Sequence, residues 1–212
     1  MSQLGPEKAH IFRITHVDNI PWILKHGLHC KNCAKSDPNF VPIGLPELIQ
    51  KRIAHRVPIP PGGVLGDYIP FYFTPWSIMM YNIRTGYNGV IKRTNNEIAI
   101  LVSSLHKLQR MDVPFIFTNA HAYMNESEYF DNLDKLERID WQLLRNRDFK
   151  NDPEDPGKLG RYHAEALVHR HVPVEALSGI VCYDANSDAA IKAETEKLGR
   201  NVVVKILTGW YF

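Results

Sequence analysis

The sequence predicts an α+β protein built on a mixed, largely antiparallel sheet with peripheral helices. Three observations carry this. Strand-like and helix-like segments do not alternate regularly, which argues against a doubly wound parallel sheet. Two short apolar runs, Glu97–Ser103 and Ala164–Val168, have the character of buried strands. No internal repeat, low-complexity run or convincing linker divides the 212 residues, a length that fits one domain, 1–212, or one domain with an insertion.

In chain order, residues 9–15 alternate enough for a strand. Asp18 is placed to cap a short helix, Asn19 to Lys25, which Gly27 ends. Residues 28–44 are rich in Asn, Asp, Pro and Gly, an irregular excursion. Pro46 then opens a helix to about Ile53, since proline is favoured at a first helical position. Residues 57–63 make a proline–glycine turn. Tyr68–Thr74 reads as an aromatic strand, followed by a helix from Ser77. The strand Glu97–Ser103 precedes a short helix, Ser104–Arg110, and a strand, Pro114–Thr118. Within Glu128–Leu144, Phe130, Leu133, Leu136, Ile139 and Leu143 recur at helical spacing. Asn151–Gly160 is a polar loop leading into the strand Ala164–Val168. Pro173–Leu177 is a turn or short helix, and Gly179–Tyr183 a strand. Ser187 is placed to cap a helix to Leu198 that buries Ala190 and Ile191. Val202–Ile206 and Trp210–Phe212 are expected terminal strands.

Hydrophobic residues make up 44% and charged residues 23%, with a net charge of +2, the balance of an ordinary globular protein. That charge does not announce a nucleic-acid partner, so any such surface must be local. Lys92 with Arg93, and Arg145, Arg147 and Lys150, are the candidates. No apolar run reaches the roughly 18 residues needed to cross a bilayer, and Met1–Lys8 carries no apolar stretch, so a cytoplasmic protein without membrane attachment is expected. Three cysteines argue against a disulfide framework. Cys30 and Cys33, near His26 and His29, lack the second pair that a four-ligand zinc site needs, so no metal is expected.

No Walker loop, dinucleotide-fold glycine fingerprint, nucleophile elbow or H-E-x-x-H motif is present. What remains is a set of local oddities. Glu165 sits at the edge of an apolar strand after a long loop, where partial burial demands a partner; on spacing alone it reads equally as a solvated edge carboxylate. Arg52 fits a solvated helix face, Tyr72-Phe73-Thr74-Pro75 an aromatic core, and His121 a structural histidine or a proton donor and acceptor.

Their joint order, however, resembles the DarT family of DNA ADP-ribosyltransferase toxins over nearly the whole chain. The resemblance rests on Phe12-Arg13-Ile14-Thr15-His16, Asp18–Leu24, Pro60-Pro61-Gly62-Gly63, Asp67–Phe73, Pro114–Thr118, Arg161–Val168 and the terminal Gly209-Trp210-Tyr211-Phe212. It implies an ADP-ribosyltransferase (PARP-like) fold. It also implies transfer of ADP-ribose from NAD to thymine bases in single-stranded DNA within short preferred sequences. A macrodomain antitoxin, DarG, is the implied partner. Glu165 and Arg52 match the family's catalytic residues. Arg13, Ile14 and Thr15 match the strand that holds NAD, Trp22 and Cys30 fall at further cofactor-pocket positions, and Arg52 is expected to contact the cofactor as well. His121 matches a base-proximal histidine. The segment about 28–56 corresponds to the NAD-binding excursion and about 146–164 to the substrate-recognition loop. Met80, Tyr162 and Trp76 are candidate stacking surfaces, and Lys92 and Arg93 candidate phosphate contacts. Some relatives carry His in place of Arg13, which only donates hydrogen bonds. Transfer to RNA or protein, or a non-catalytic nucleic-acid-binding module, are the alternatives.

Overall fold

The computed structural model of the chain describes residues 4–212. Its elements are β1 (His10–His16), α1 (Ile20–His26), β2 (Leu28–His29), α2 (Pro46–Ile53), β3 (Tyr68–Tyr72), α3 (Ile78–Thr85), β4 (Ile98–Ser104), α4 (Leu105–Arg110) and β5 (Phe115–Thr118). They continue with β6 (Tyr129–Phe130), α5 (Trp141–Asn146), α6 (Lys158–Tyr162), β7 (Glu165–His169), β8 (His171–Val172), β9 (Gly179–Cys182), α7 (Ala185–Lys197) and β10 (Val204–Ile206).

Eight strands form one sheet in the order β10-β9-β4-β1-β3-β7-β5-β6, and β2 pairs with β8 apart from it. Among the described residues, only β9 and β10 run parallel; the other pairings are antiparallel. The centre of the sheet is uneven. β1 lies against β4 along its whole length, from His10↔Ser104 to His16↔Ile98. β3 lies against β7 from Tyr68↔His169 to Tyr72↔Glu165. Between these two ribbons, β1 and β3 share one register pair, Phe12↔Tyr72. The strands therefore diverge beyond that pair and leave a wedge beside Arg13 and Pro70.

The alternation of side chains along each strand sorts the core into two faces. Ile11, Ile69, Phe71, Ala99, Leu101, Ala166 and Val168 point one way, onto Ile23 and Leu24 of α1 and Leu105 and Leu108 of α4. Phe12, Ile14, Ile98 and Ile100 point the other way, onto Met80 and Ile83 of α3 and onto Tyr211. Each fully buried side chain of this size contributes about 1.5–3 kcal/mol relative to exposure, which fixes the two ribbons despite the wedge between them.

The structure revises several expectations. Glu128–Leu144 is not one helix. Tyr129–Phe130 joins β5 as an edge strand, with Phe117 opposite Phe130. A 3-10 stretch, Leu133–Arg138, follows, and α5 starts afresh at Trp141. Asn132 and Asp140 decide this: their side chains accept the backbone N–H of Asp134 and of Leu143, and such local bonds compete with a continuous helix. Trp210–Phe212 is not a strand, because residues 208–210 form a 3-10 turn that inserts Tyr211 into the core. Asp18 lies in a 3-10 turn ahead of α1 instead of capping it. Asp184, not Ser187, caps α7, accepting the Ser187 N–H at 2.8 Å, and Ala190 is exposed while Ile191 is buried. The end of the 151–160 loop is already helical, as α6.

Candidate active site

Glu165 opens β7 three residues after α6 ends, so a helix terminus and a strand hold its backbone from both sides. Its side chain is 2% exposed. An unpaired carboxylate at such depth would be strongly unfavourable. Arg52, in the last turn of α2, supplies the partner. Its Nη1 donates to Oε1 at 2.7 Å and its Nη2 to Oε2 at 2.5 Å, a two-pronged fork. The Ala122 N–H adds a third bond, 3.1 Å to Oε1.

His121 completes the cluster, its Nε2 3.4 Å from Arg52 Nη1 and 3.9 Å from Glu165 Oε1. Its Nδ1 accepts the Tyr123 N–H at 3.2 Å. The neutral ring therefore carries its proton on Nε2, facing the ion pair. The turn bearing His121 is clamped. Thr118 Oγ1 donates to Ala120 O and Ser127 Oγ to His121 O, each at 2.6 Å. The Tyr129 hydroxyl donates to Ala122 O, and His121 N–H to Gly160 O at 3.0 Å.

Burial by itself raises the Glu165 pKa. The Arg52 charge and hydrogen bonds outweigh it, with help from His121 and the Ala122 N–H, and hold the carboxyl down at about 2. For Arg52 burial lowers the pKa, but Glu165 more than compensates and the guanidinium is held above its usual value. Burial lowers His121, opposed by Glu165. His163, its ring 5.4 Å from that of His121, is pushed down to about 4 by burial and then by His121. Tyr72 and Tyr129 are pushed up to about 12 by burial, with Glu165 adding to it. At neutral pH the site is thus one fixed anion, one fixed cation and two neutral imidazoles.

Arg13 reaches across the wedge, its Nη1 donating to Pro70 O at 2.8 Å. Its Nε is buried without a partner, and burial lowers its pKa to about 10, so it stays charged at neutral pH. Arg13 and Arg52 line a cavity of about 230 Å³, together with Cys30, Phe40 and Ile49.

The structure therefore gathers Glu165, Arg52 and His121 at one point and puts Arg13 and Cys30 on the adjoining cavity. Thr15 is buried behind it, accepting from Asn19 Nδ2 at 3.0 Å. The Asn19 amide also bonds both backbone groups of Val41, which ties the 28–44 excursion to β1. Ile14 packs into the core. Trp22 is elsewhere, on α1 against the His26 ring at 4.2 Å. Two expected stacking residues are corrected. Met80 is fully buried, and Tyr162 is 1% exposed with its hydroxyl donating to Trp76 O; neither offers a face to a base, because both fill the core beneath the site. Lys92 is exposed, but Arg93 is engaged by Glu97 at 3.1 Å and lies 3.3 Å from His16 Nε2. The sequence reading missed Tyr72, Tyr129 and His163 as site residues. Only register reveals Tyr72, which lies directly opposite Glu165. Among the described residues, no group of three or more His, Cys, Asp and Glu stands close enough to hold a metal, and no helix is long and apolar enough to cross a membrane.

A split, mostly antiparallel sheet with a buried, ionised carboxylate beside the split defines an ADP-ribosyltransferase fold, and solved structures agree. The chain superposes on Thermus sp. 2.9 DarT in complex with ADP-ribosylated ssDNA with a TM-score of 0.90 at 30% identity, covering 100% of both chains. The same protein in complex with NAD+ gives 0.84 at 30% identity, over 98% of this chain and 100% of that one. A family model described as "ssDNA thymidine ADP-ribosyltransferase, DarT" matches residues 12–212. A "DNA ADP-ribosyl transferase" of Escherichia coli O127:H6 is 49% identical over 213 residues, spanning 100% of this chain and 97% of the relative. The chain belongs to the DarT family.

Proposed function

We propose that this chain transfers ADP-ribose from NAD to N3 of thymine in single-stranded DNA, with Glu165 as the central carboxylate. The Glu165–Arg52 pair, buried beside the wedge, is the observation that carries the reading. Nicotinamide leaves NAD without needing a proton, because it is already cationic. The barrier lies in the electron-poor ribose carbon it leaves behind. An ionised carboxylate in a dry site stabilises that positive charge and accepts a hydrogen bond from the ribose 2′-hydroxyl. A Glu165 pKa of about 2 keeps the carboxylate ionised throughout the physiological range.

The same low pKa makes Glu165 a weak base while Arg52 holds it. Moving the Arg52 fork onto a thymine carbonyl oxygen removes the charge that depresses Glu165 and leaves burial to raise it. Glu165 then takes the N3 proton, the N3 electron pair forms the new bond to the ribose carbon, and nicotinamide departs with the electrons of the old one. Arg52 and the His121 Nε2–H stabilise the negative charge that develops on the base. A target thymine must stand free of any stack to reach this pair, which favours single strands.

NAD enters from the Arg13 side, where Arg13 and Arg52 offer donors to its polar groups. A cavity of about 230 Å³ is below the ~300–1,000 Å³ usual for ligand sites, so the 28–56 excursion moves outward on binding. Helix α2 buries no residue in the core, so the Arg52 fork to Glu165 and the Asn19–Val41 bonds are the contacts that yield in this movement. The 146–164 loop faces the acceptor. Family membership supports a toxin role in the bacterial cytoplasm, with a block to replication and a macrodomain partner of the DarG type.

The test is incubation with NAD and labelled oligonucleotides: thymine-containing single strands, their duplexes, thymine-free strands and matching RNA. Mass spectrometry is expected to find ADP-ribose only on thymine-containing single-stranded DNA, and none with Glu165→Ala. Intact NAD and no modified nucleic acid would sink the reading.

A further inference from the structure

A second depression adjoins the catalytic face and has no part in the chemistry above. Tyr72 pairs with Phe12 on one side and Glu165 on the other, so these three side chains share a face of the sheet. Beyond Phe12 the face opens into a groove of about 900 Å³, at the upper end of the ~300–1,000 Å³ of ligand sites. Phe12, Trp76 and Trp210 form its apolar walls, and Arg145, Arg147 and Lys205 its charged rim. Phe12 and Glu165 stand two strand spacings apart, about 10 Å, close enough for one DNA strand to span both.

The groove is electrostatically one-sided. Among the described residues, no carboxylate lines it. Among the described residues, none of the three cations has an acidic partner, whereas Arg52, Arg93, Arg138, Lys158, Arg161 and Arg200 all do. All three are exposed. The Arg147 guanidinium lies 3.3 Å over the Trp76 ring, and Trp210 meets Phe12 edge-on at 5.3 Å. His10, on the groove wall, has a buried Nδ1 without a partner. Arg147 also ends α5 and starts the loop that runs to Glu165.

Phe12 and Trp76 are buried, so Trp210, which is partly exposed, is the ring a base can reach. Unpaired cations beside such a ring are the equipment for a single strand: the cations track phosphates and the ring stacks a base. An acidic protein would meet the cations but leave the Trp210 ring without a planar partner. We propose that this groove holds the nucleotides flanking the target thymine, with phosphates on Arg145, Arg147 and Lys205 and a base against Trp210. The proposal rests on single-stranded DNA being the acceptor.

The test compares a minimal oligonucleotide, the target thymine with its nearest neighbours, with a longer strand containing it. The wild type gains about tenfold or more in kcat/KM from the longer strand at low salt. The combined variant Arg145→Gln, Arg147→Asn, Lys205→Gln loses most of that gain. Asn suits position 147, where φ is 53°. Its salt dependence also flattens by about 2 in the log–log slope, at ~0.7 per single-strand phosphate. An equal charge change elsewhere, Lys135→Gln, Lys192→Gln, Lys197→Gln, retains the gain, and matching Tm values show both variants folded. Fluorescence anisotropy of the same strands on Glu165→Ala protein, with and without the groove changes, reads binding without turnover. Weaker binding of the long strand supports the groove even where no transfer occurs, so failure of the acceptor reading stays distinct. Unchanged binding and an unchanged length gain overturn the proposal. Competition by heparin as strong as by an oligonucleotide of equal charge also overturns it, since heparin has no base to stack.

Discussion

Replacing Glu165 by Gln should weaken the fold as well as abolish transfer, and the size of the effect follows from the site. The folded-state pKa is about 2 against an ordinary 4.5. That lowering corresponds to roughly 3 kcal/mol of net preference for the ionised form, on the order of 1.4 kcal/mol for each tenfold change in proton affinity. The sign is that of a depressed acid. The contribution is fully present above pH 4.5 and disappears as pH falls through the folded value of about 2. Glutamine removes the charge and leaves Arg52 charged, its side chain only 15% exposed. Breaking a buried pair from one side costs about 3–5 kcal/mol. The glutamine oxygen still accepts a bond from Arg52, so about 3 kcal/mol is expected. For a chain of this size that lowers Tm by roughly 6–12 °C, at 2–4 °C per kcal/mol. Urea unfolding without NAD or DNA measures it, and thermal unfolding from pH 7 down to pH 3 adds the second check. The gap between wild type and variant should narrow as pH falls below 4.5. The double variant Glu165→Gln, Arg52→Gln should recover part of the loss, because no charge is then stranded. A Glu165→Gln protein as stable as wild type at pH 7, or a gap independent of pH, would refute the reasoning.

Three further outcomes follow from particular contacts. Tyr129→Phe strands the buried Ala122 carbonyl, costing about 1–3 kcal/mol, and loosens the turn that aims the Ala122 N–H at Glu165; kcat should fall with KM for NAD nearly constant in steady-state kinetics. Met80→Ala opens a core cavity and should cost about 2–5 kcal/mol in urea unfolding, while oligonucleotide affinity of the folded protein stays the same, since Met80 is buried. Gly27→Ala should lower Tm by several degrees: φ is 77° there, and a Cβ would lie 2.5 Å from both His171 Nε2 and Val172 O, adding a clash to about 1–3 kcal/mol of backbone strain.

The local signals that the sequence carries are those that depend on neighbours in the chain. Proline at position 46 starts α2, Gly27 at a positive φ of 77° ends α1, and apolar runs give β4 and β7. The order of motifs gave the family, and with it Glu165, Arg52 and His121. Helical spacing misled at 128–144, because Asn132 and Asp140 rewrite the backbone hydrogen bonding and β5 needs an edge partner. Apolar or aromatic type did not tell surface from core, so Met80 and Tyr162 were placed on the DNA side when both are interior. Tyr72 and Tyr129 carry no motif, and only strand register and a turn clamp bring them to the carboxylate. Arg52 and Glu165 are 113 residues apart in sequence. Sequence by itself determined those elements that local signals specify, the family and which acid and base types are present. Tertiary structure alone decided that the two charges meet in a dry site, with the pKa values that follow. Burial and distance set electrostatic strength, and both exist only once the chain has closed on itself.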